Sequence, residues 1–358
     1  MSSPWGNCNG ALDVIGSSFR GEIPGRRSPC SRRPPPVGSG LAMTSVSVVI
    51  PTHDRMRWLK LALATALWQE EVTVQAIVVD DGSSDGTADL VRSLDDSRIK
   101  LLRHDFAQGV GVSRNHGADE ATHEWIAFLD DDDLWAPDKL YRQINAASRR
   151  GRDWAYAGCV NVGDHLEIIG GAPPPSPATV SKRIFRFNAV PGGGSNVVVR
   201  RDTFRRVGHF DLRLRNTEDW EMWIRLAELG PPAWVPEPLL AYRVHPTNAS
   251  LDIVEILAGV ELIELKHRTS VDRGVLHRWI AESCLRAGQR GAALRHLAIA
   301  ARRGQVVGVG SDLGEIVRRR LARRGLLMQR EGPRHPDWVA RAEPWLARVR
   351  AMETLRGA

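Results

Sequence analysis

Apolar residues in the first 250 positions fall into short β-branched runs separated by longer stretches at helical spacing. Val46-Ser47-Val48-Val49-Ile50 reads as a strand stopped by Pro51, and residues 58–68 place apolar side chains at helical spacing. Gln75-Ala76-Ile77-Val78-Val79 gives a second strand, residues 88–94 a helix and residues 99–103 a third strand. A loop then leads into a helix carrying Arg114 and Asn115. The run Trp125-Ile126-Ala127-Phe128-Leu129 is a fourth strand. Alternation on this scale predicts an α/β fold, a mainly parallel sheet with helices on both faces. Ligands of such sheets bind beyond the carboxyl ends of the strands. Those ends carry Pro51-Thr52-His53-Asp54-Arg55, Asp80-Asp81-Gly82-Ser83-Ser84-Asp85-Gly86-Thr87 and Asp130-Asp131-Asp132-Asp133. One crevice would therefore collect Asp54, Asp81 and four successive carboxylates.

Four adjacent carboxylates at the end of a buried strand repel one another unless a positive charge joins them. Mg²⁺ or Mn²⁺ would do so, completing its shell with water and substrate phosphates. Taken alone, the run also fits a solvated acidic turn leading into a helix near Pro137. An EF-hand calcium loop fits poorly, because Leu134 falls at a ligand position and no glycine occupies the sixth. Gly109-x-Gly111 lacks the third glycine of a dinucleotide fingerprint, Arg114 standing in its place, and no phosphate loop of the Gly-Lys-Ser type occurs. Gly192-Gly193-Gly194-Ser195 lacks the glycine that follows a nucleophile-elbow serine. It fits either a flexible turn before the strand pattern Val197-Val198-Val199 or a loop that touches an acceptor.

Seven segments in order resemble family 2 of the nucleotide-sugar-dependent glycosyltransferases, which have the GT-A fold. They are Val48-Val49-Ile50-Pro51-Thr52-His53-Asp54-Arg55, Ile77-Val78-Val79-Asp80-Asp81-Gly82-Ser83-Ser84-Asp85-Gly86-Thr87, Gly109-Val110-Gly111-Val112-Ser113-Arg114-Asn115, Trp125-Ile126-Ala127-Phe128-Leu129-Asp130-Asp131-Asp132-Asp133, Gly193-Gly194-Ser195-Asn196, Thr217-Glu218-Asp219-Trp220 and Tyr242-Arg243-Val244-His245-Pro246. His53 stands where the family's first motif usually has an aromatic. The resemblance spans residues 46–250, covers nothing of residues 1–43 and is loose beyond about 255. It implies a GT-A-like, Rossmann-like domain over residues 44–250. It also implies a metal-dependent, inverting hexosyl transfer from a nucleoside-diphosphate sugar to a hydroxyl acceptor, in cell-surface or secondary glycoconjugate synthesis.

Carried over residue by residue, the resemblance puts Pro51, His53, Asp54 and Asp81 at the base and ribose and Arg114 near the diphosphate. Asp130 and Asp131 would contact the sugar, the ribose or bound water, and Asp132 would be the final ligand of Mg²⁺ or Mn²⁺. His245 matches a position that reaches the metal or the phosphates; before Pro246 it equally fits a plain loop cap. Gly194, Ser195, Asn196 and Trp220 match the acceptor side. Asp219 matches the general base, with Glu218 positioning the acceptor. Read from the residues alone, both acids also fit the first turn of a helix capped by Thr217, with Trp220, Trp223, Ile224 and Ala227 on its apolar face.

The chain of 358 residues is 42% hydrophobic and long enough to bury a full core. Its formal net charge of +7 is unevenly spread: residues 1–43 carry +3 and residues 255–358 carry +9, which leaves −5 for the middle. An acidic middle suits a metal site. The basic ends lack the interleaved aromatics of a nucleic-acid surface, so they read as a solvated arginine-rich surface or as attraction to anionic lipid headgroups. Cys8, Cys30, Cys159 and Cys284 have no metal-ligand spacing, and no apolar stretch approaches a membrane span, so a cytoplasmic setting follows, with peripheral contact at the inner face of the membrane as an option. Residues 1–43 are rich in Pro, Gly, Ser and Arg and read as a disordered tail; Met43 just before the first strand makes residues 1–42 a dispensable or untranslated segment. Residues 251–358 read as a helical region with one tetratricopeptide-like helical pair around Gly288 and a last amphipathic helix bearing Trp338 and Trp345. The acceptor would be a saccharide, a lipid-linked saccharide or a small molecule. Two rivals remain: a nucleotidyltransferase acting on a sugar phosphate, and a non-catalytic interaction platform.

Overall fold

The computed structural model describes residues 44–310, 312–314 and 335–356. The expectations for the tail at residues 1–43 and for residues 315–334 of the helical region lie outside the described residues. Among the described residues nine strands are formed: β1 (Thr44–Thr52), β2 (Val72–Asp80), β3 (Ile99–Arg103), β4 (Trp125–Phe128), β5 (Leu134–Trp135), β6 (Trp154–Val162), β7 (Ile168–Ala172), β8 (Val198–Arg200) and β9 (Ala233–Arg243). The helices of the first part are α1 (Met56–Leu67), α2 (Thr87–Ser93), α3 (Val110–Asp119), α4 (Lys139–Arg149), α5 (Pro177–Arg183), α6 (Arg201–Val207) and α7 (Glu218–Leu229). After them come α8 (Ile253–His267), α9 (Arg273–Arg286), α10 (Arg290–Arg302), α11 (Pro336–Val339) and α12 (Glu343–Arg356).

The strands form one sheet in the order β3-β2-β1-β4-β8-β6-β9-β5, with β7 paired to β6. The long ladders, β1–β2, β2–β3 and β6–β9, are parallel, as is β1–β4; β8 runs antiparallel to both β4 and β6. Side-chain alternation along each strand feeds two cores. Val46, Val48 and Ile50 of β1 meet Leu59 and Leu63 of α1 and Leu140 and Ile144 of α4. Val49, by contrast, faces Ala118 of α3 and Trp223 of α7. The helices therefore cover both faces, as the sequence pattern predicts. β2 and β3 are added on one side of β1, and β4 on the other. That reversal is the point where a parallel sheet opens a crevice at the carboxyl ends of its strands.

The pattern of the first four strands gives no hint of β6, β7 and β9, which build the second half of the sheet. β9 contains Pro236 and Pro238, residues that remove ladder donors, and its register against β6 shifts there. The carbonyls left over accept from indole groups: Trp338 Nε1 donates to Pro236 O (2.7 Å) and Trp345 Nε1 to Pro238 O (3.1 Å). Trp338, Trp345, Leu346 and Val349 thereby cover Val160, Val162, Val235 and Leu239.

Residues 43–358 form one compact unit, so the compositional boundary near residue 250 does not separate two cores. Ile256, Val260 and Ile263 of α8 and Leu276 and Ile280 of α9 share a core with Trp220 and Trp223. Helices α9 and α10 are joined by a tight turn at Gly288 (φ +76°), giving the expected helical pair. Contact between α8 and α7 depends on Gly259, where any Cβ would collide with Thr217 Oγ1. Gly259→Ala is expected to lower stability by about 1–3 kcal/mol, the usual cost of overpacking, even though alanine is the better helix former. Urea titration would read this as a lower midpoint, whereas a rise would show that α8 moves aside without cost.

Candidate active site

Strand β4 delivers the acidic run to the crevice. Leu129 N–H donates to Val49 O (3.0 Å), which seats Asp130 to Asp133 beside the end of β1. Asp131, Asp132 and Asp133 are buried and Asp130 is partly exposed. Burial and the neighbouring Asp132 push the Asp131 carboxyl up to about 7, against the pull of Arg55. Asp133 rises well above the ordinary carboxylate range for the same reasons; its Oδ1 accepts from Arg243 N–H (3.0 Å) and its buried Oδ2 has no partner. The positive charge that such a cluster requires comes from Arg55, whose Nη1 lies 2.8 Å from Asp132 Oδ2 and 3.2 Å from Asp131 Oδ1. His245 Nε2 reaches the same Asp132 oxygen at 2.8 Å. Its Nδ1 accepts from Thr247 N–H (3.3 Å), which assigns the ring proton to Nε2.

Asp81, at the end of β2, is held by His104 Nδ1 (2.7 Å), Gln108 N–H (2.9 Å) and Gly109 N–H (2.7 Å). These hydrogen bonds keep its carboxyl below the usual range although burial opposes them. His53 Nδ1 lies 2.8 Å from Asp81 O, and its ring is about half exposed. Asp54 adopts a left-handed backbone (φ 49°) and accepts from Ser84 N–H (2.6 Å), so it shapes the turn after β2.

The second acidic group comes from α7. Thr217 occupies the N-cap position, but its side chain makes no capping bond and Oγ1 has no partner, because it is pressed against α8. Instead, Asp219 Oδ1 accepts from Trp220 N–H (2.6 Å). Glu218 is buried and its carboxyl is pushed up to about 7; the half-buried Asp219 is also raised by burial, with Arg114 opposing both shifts. Arg114 Nη1 lies 2.5 Å from Glu218 Oε1 and Nη2 2.5 Å from Asp130 Oδ1. This buried guanidinium ties α7 to the end of β4, and Gly194 gives it room, since a Cβ there would stand 2.7 Å from Nη2.

A cleft of about 2180 Å³ contains Pro51, His53, Asp81, Arg114, Asp130, Asp131, Asp132, Gly194, Glu218, Asp219 and Trp220 in its walls. The structure thus brings together most residues singled out in the sequence. Ser195 and Asn196, expected at the acceptor, are fully buried instead. Ser195 Oγ accepts from Asp130 N–H (3.0 Å), and the Asn196 amide bonds to Ala157 and Pro191, so both brace the cleft from behind. Arg114, expected beside the diphosphate, has both terminal nitrogens on carboxylates. His245 and Asp54 lie outside the cleft wall, His245 behind Asp132. Arg55 and His104 carry no role in the sequence reading. Arg55 follows β1 within a motif already noted, and His104 directly follows β3, so the strand-end rule points to both.

Residues 47–208 match the family model of glycosyl transferase family 2. These residues form a family 2 glycosyltransferase domain. This glycosyltransferase is 29% identical over 181 residues to the Escherichia coli UDP-Glc:alpha-D-GlcNAc-diphosphoundecaprenol beta-1,3-glucosyltransferase WfgD, covering 51% of this chain and 69% of that one. It is 38% identical over 124 residues to the succinoglycan biosynthesis protein ExoO of Rhizobium meliloti, 35% of this chain and 34% of ExoO. Its fold is shared with S. aureus TarS 1-349 in complex with UDP (TM-score 0.51, 16% identity, 67% of this chain and 70% of TarS 1-349). It is shared as well with the mannosyltransferase PcManGT from Pyrobaculum calidifontis in complex with GDP-Man and Mn²⁺ (TM-score 0.50, 17% identity, 87% and 86% covered). The expected GT-A architecture is therefore observed. Among the described residues no helix is long and apolar enough to cross a membrane.

Proposed function

We propose that this glycosyltransferase moves a hexose from a nucleoside-diphosphate sugar to a hydroxyl acceptor with inversion, using a divalent cation and Asp219 as the base. The observation that carries the reading is the convergence of two acidic groups in one cleft, Asp130–Asp132 and Glu218–Asp219, joined through buried Arg114. Direct displacement needs a base placed to take the acceptor's proton as the bond forms. Asp219 is half-buried at the cleft wall, and the upward shift of its carboxyl makes it a stronger proton acceptor than a solvated aspartate. Glu218, held by Arg114, would position the acceptor hydroxyl. Asp81 and His53 would receive the nucleoside.

The donor atoms fit a hard cation. His245 Nε2 orients the Asp132 carboxylate from 2.8 Å, and the cluster holds more carboxylate than Arg55 alone neutralises. Among the described residues no three His, Cys, Asp or Glu side chains are placed to hold an ion by themselves. One or two protein ligands suffice where substrate phosphates and water supply the rest, as is usual for Mg²⁺. Asp132, with His245 behind it, would hold the cation, which supplies charge stabilisation for the departing nucleoside diphosphate.

Thermal-shift screening against UDP-, GDP- and dTDP-sugars and nucleoside triphosphates, with and without Mn²⁺, tests the donor; the UDP and GDP arms are motivated by the ligands of the fold relatives. A metal-dependent shift with one nucleotide sugar is the expected result. Pyrophosphate release from a triphosphate would overturn it. Asp132→Asn keeps the side chain's shape but removes one charge. It is expected to abolish the Mn²⁺-dependent shift and lower transfer at least about a hundredfold, with the folded state intact. Full activity in excess EDTA would remove the cation from the reaction.

A further inference from the structure

The cleft continues past Asp219 beneath the α9–α10 hairpin. Its far walls are apolar, with Ile169, Phe187, Trp279, Leu285 and Leu294 and the run Pro173 to Pro175. Its cations are Arg183, Arg215, Arg286 and Arg290, all exposed and none with a carboxylate partner among the described residues. Among the described residues the carboxylates on this side are Glu282 and Asp312, joined to Arg278 at 3.5 and 2.7 Å. The cleft is therefore acidic at its catalytic end and basic at the other. Arg286 Nη2 donates to Ser283 Oγ (3.1 Å), and its charge reaches the cleft floor, where it pulls back part of the rise that burial imposes on the Cys159 thiol.

The volume of about 2180 Å³ exceeds the roughly 300–1,000 Å³ of a site for one small ligand, so donor and acceptor can lie in it together. An acceptor whose hydroxyl reaches Asp219 and whose body extends outward meets both arginines and apolar walls beneath the α9–α10 hairpin. A neutral saccharide offers guanidinium groups only uncharged hydroxyl acceptors, whereas a phosphate supplies the opposite charge and matches their fork of donors. The charge gradient also fixes orientation, since the donor's diphosphate takes up the cation of the catalytic end and the carboxylates there would repel a second phosphate. We propose that the α9–α10 hairpin is the acceptor site for a lipid-linked saccharide. Arg286 and Arg290 take its phosphate or diphosphate, and Trp279, Leu285 and Leu294 the start of its apolar chain. This rests on the glycosyltransferase reading of the same cleft.

Calorimetric titration of the full chain tests the site, in EDTA so that metal-dependent donor binding does not interfere. The probes are farnesyl diphosphate, farnesol and inorganic pyrophosphate. Farnesyl diphosphate is expected to bind at least about tenfold more tightly than either other probe, and Arg286→Ala/Arg290→Ala to weaken it about tenfold or more, the scale of one charged hydrogen bond. Trp279→Ala should weaken farnesyl diphosphate and leave pyrophosphate unchanged. UDP and GDP with Mn²⁺, titrated separately, should bind the double variant as they bind the wild type. The proposal is overturned if the double variant binds farnesyl diphosphate normally, if pyrophosphate binds as tightly as farnesyl diphosphate, or if the double variant loses nucleotide affinity in parallel. Absence of any nucleotide binding by the wild type, with the lipid arms as expected, would instead overturn the donor reading and leave the hairpin site standing.

Discussion

Asp219→Asn is expected to lower kcat about a thousandfold, within the range of general-base contributions, while nucleotide-sugar affinity changes less than about threefold. The carboxylate is asked to act only as the acceptor hydroxyl loses its proton, so its loss should appear in kcat rather than in ground-state binding. The substitution keeps an oxygen that can accept from Trp220 N–H, so the first turn of α7 should persist. Single-turnover transfer and isothermal titration separate the two effects. Asp211, the nearest other aspartate before this helix, is a poor substitute: Arg213 and Lys266 hold its carboxyl far below the ordinary range. Near-normal turnover by the variant would move the base to Glu218, and a product that retains the donor's anomeric configuration would end the direct-displacement reading.

Arg114→Met is expected to cost about 3–5 kcal/mol of stability near neutral pH, because it leaves Asp130, Glu218 and Asp219 facing one another without their shared cation. The pH dependence has a definite sign. Glu218 is raised to about 7 even with Arg114 present, so the native state binds a proton that the unfolded chain, near 4.5, releases. Stability from this group is therefore present below about 4.5 and is lost as pH rises toward 7. Without Arg114 the folded carboxyl rises further, so the variant goes on losing stability above about pH 7, where the wild type's loss levels off, and its deficit should widen between about pH 6 and 9. Urea midpoints across that range provide the check. A deficit constant with pH would show that packing against Phe210, over which the guanidinium lies at 5.6 Å, matters more than charge.

Much of this site was legible because its signals are local. A β-branched run feeding a buried strand, followed at once by polar residues, marks the end of a parallel strand, and β1, β2 and β4 each announce Asp54, Asp81 and Asp130–Asp133 in this way. The pair Glu218–Asp219 also stands where a helix begins, so its acidic first turn could be read without knowing what it faces. The same locality set the limits. Gly193-Gly194-Ser195-Asn196 forms a motif, but which of its members face the cleft depends on a tight turn whose serine and asparagine point into the scaffold.

Residue spacing along single elements is enough to set the α/β alternation, the two-faced burial of β1 and β4, and the collection of carboxylates at one edge of the sheet. The charge partners and the boundaries of the core arise only when distant segments meet in the folded chain. Arg114 meets Glu218 across 104 positions and Asp130 across 16, and Arg55 meets Asp132 across 77. Strands β6 and β9 pair around prolines that would ordinarily argue against a central strand, because Trp338 and Trp345, some hundred residues later, take up the carbonyls. Pairings of this kind exist only after the chain has closed long loops, and no pattern along one segment encodes them.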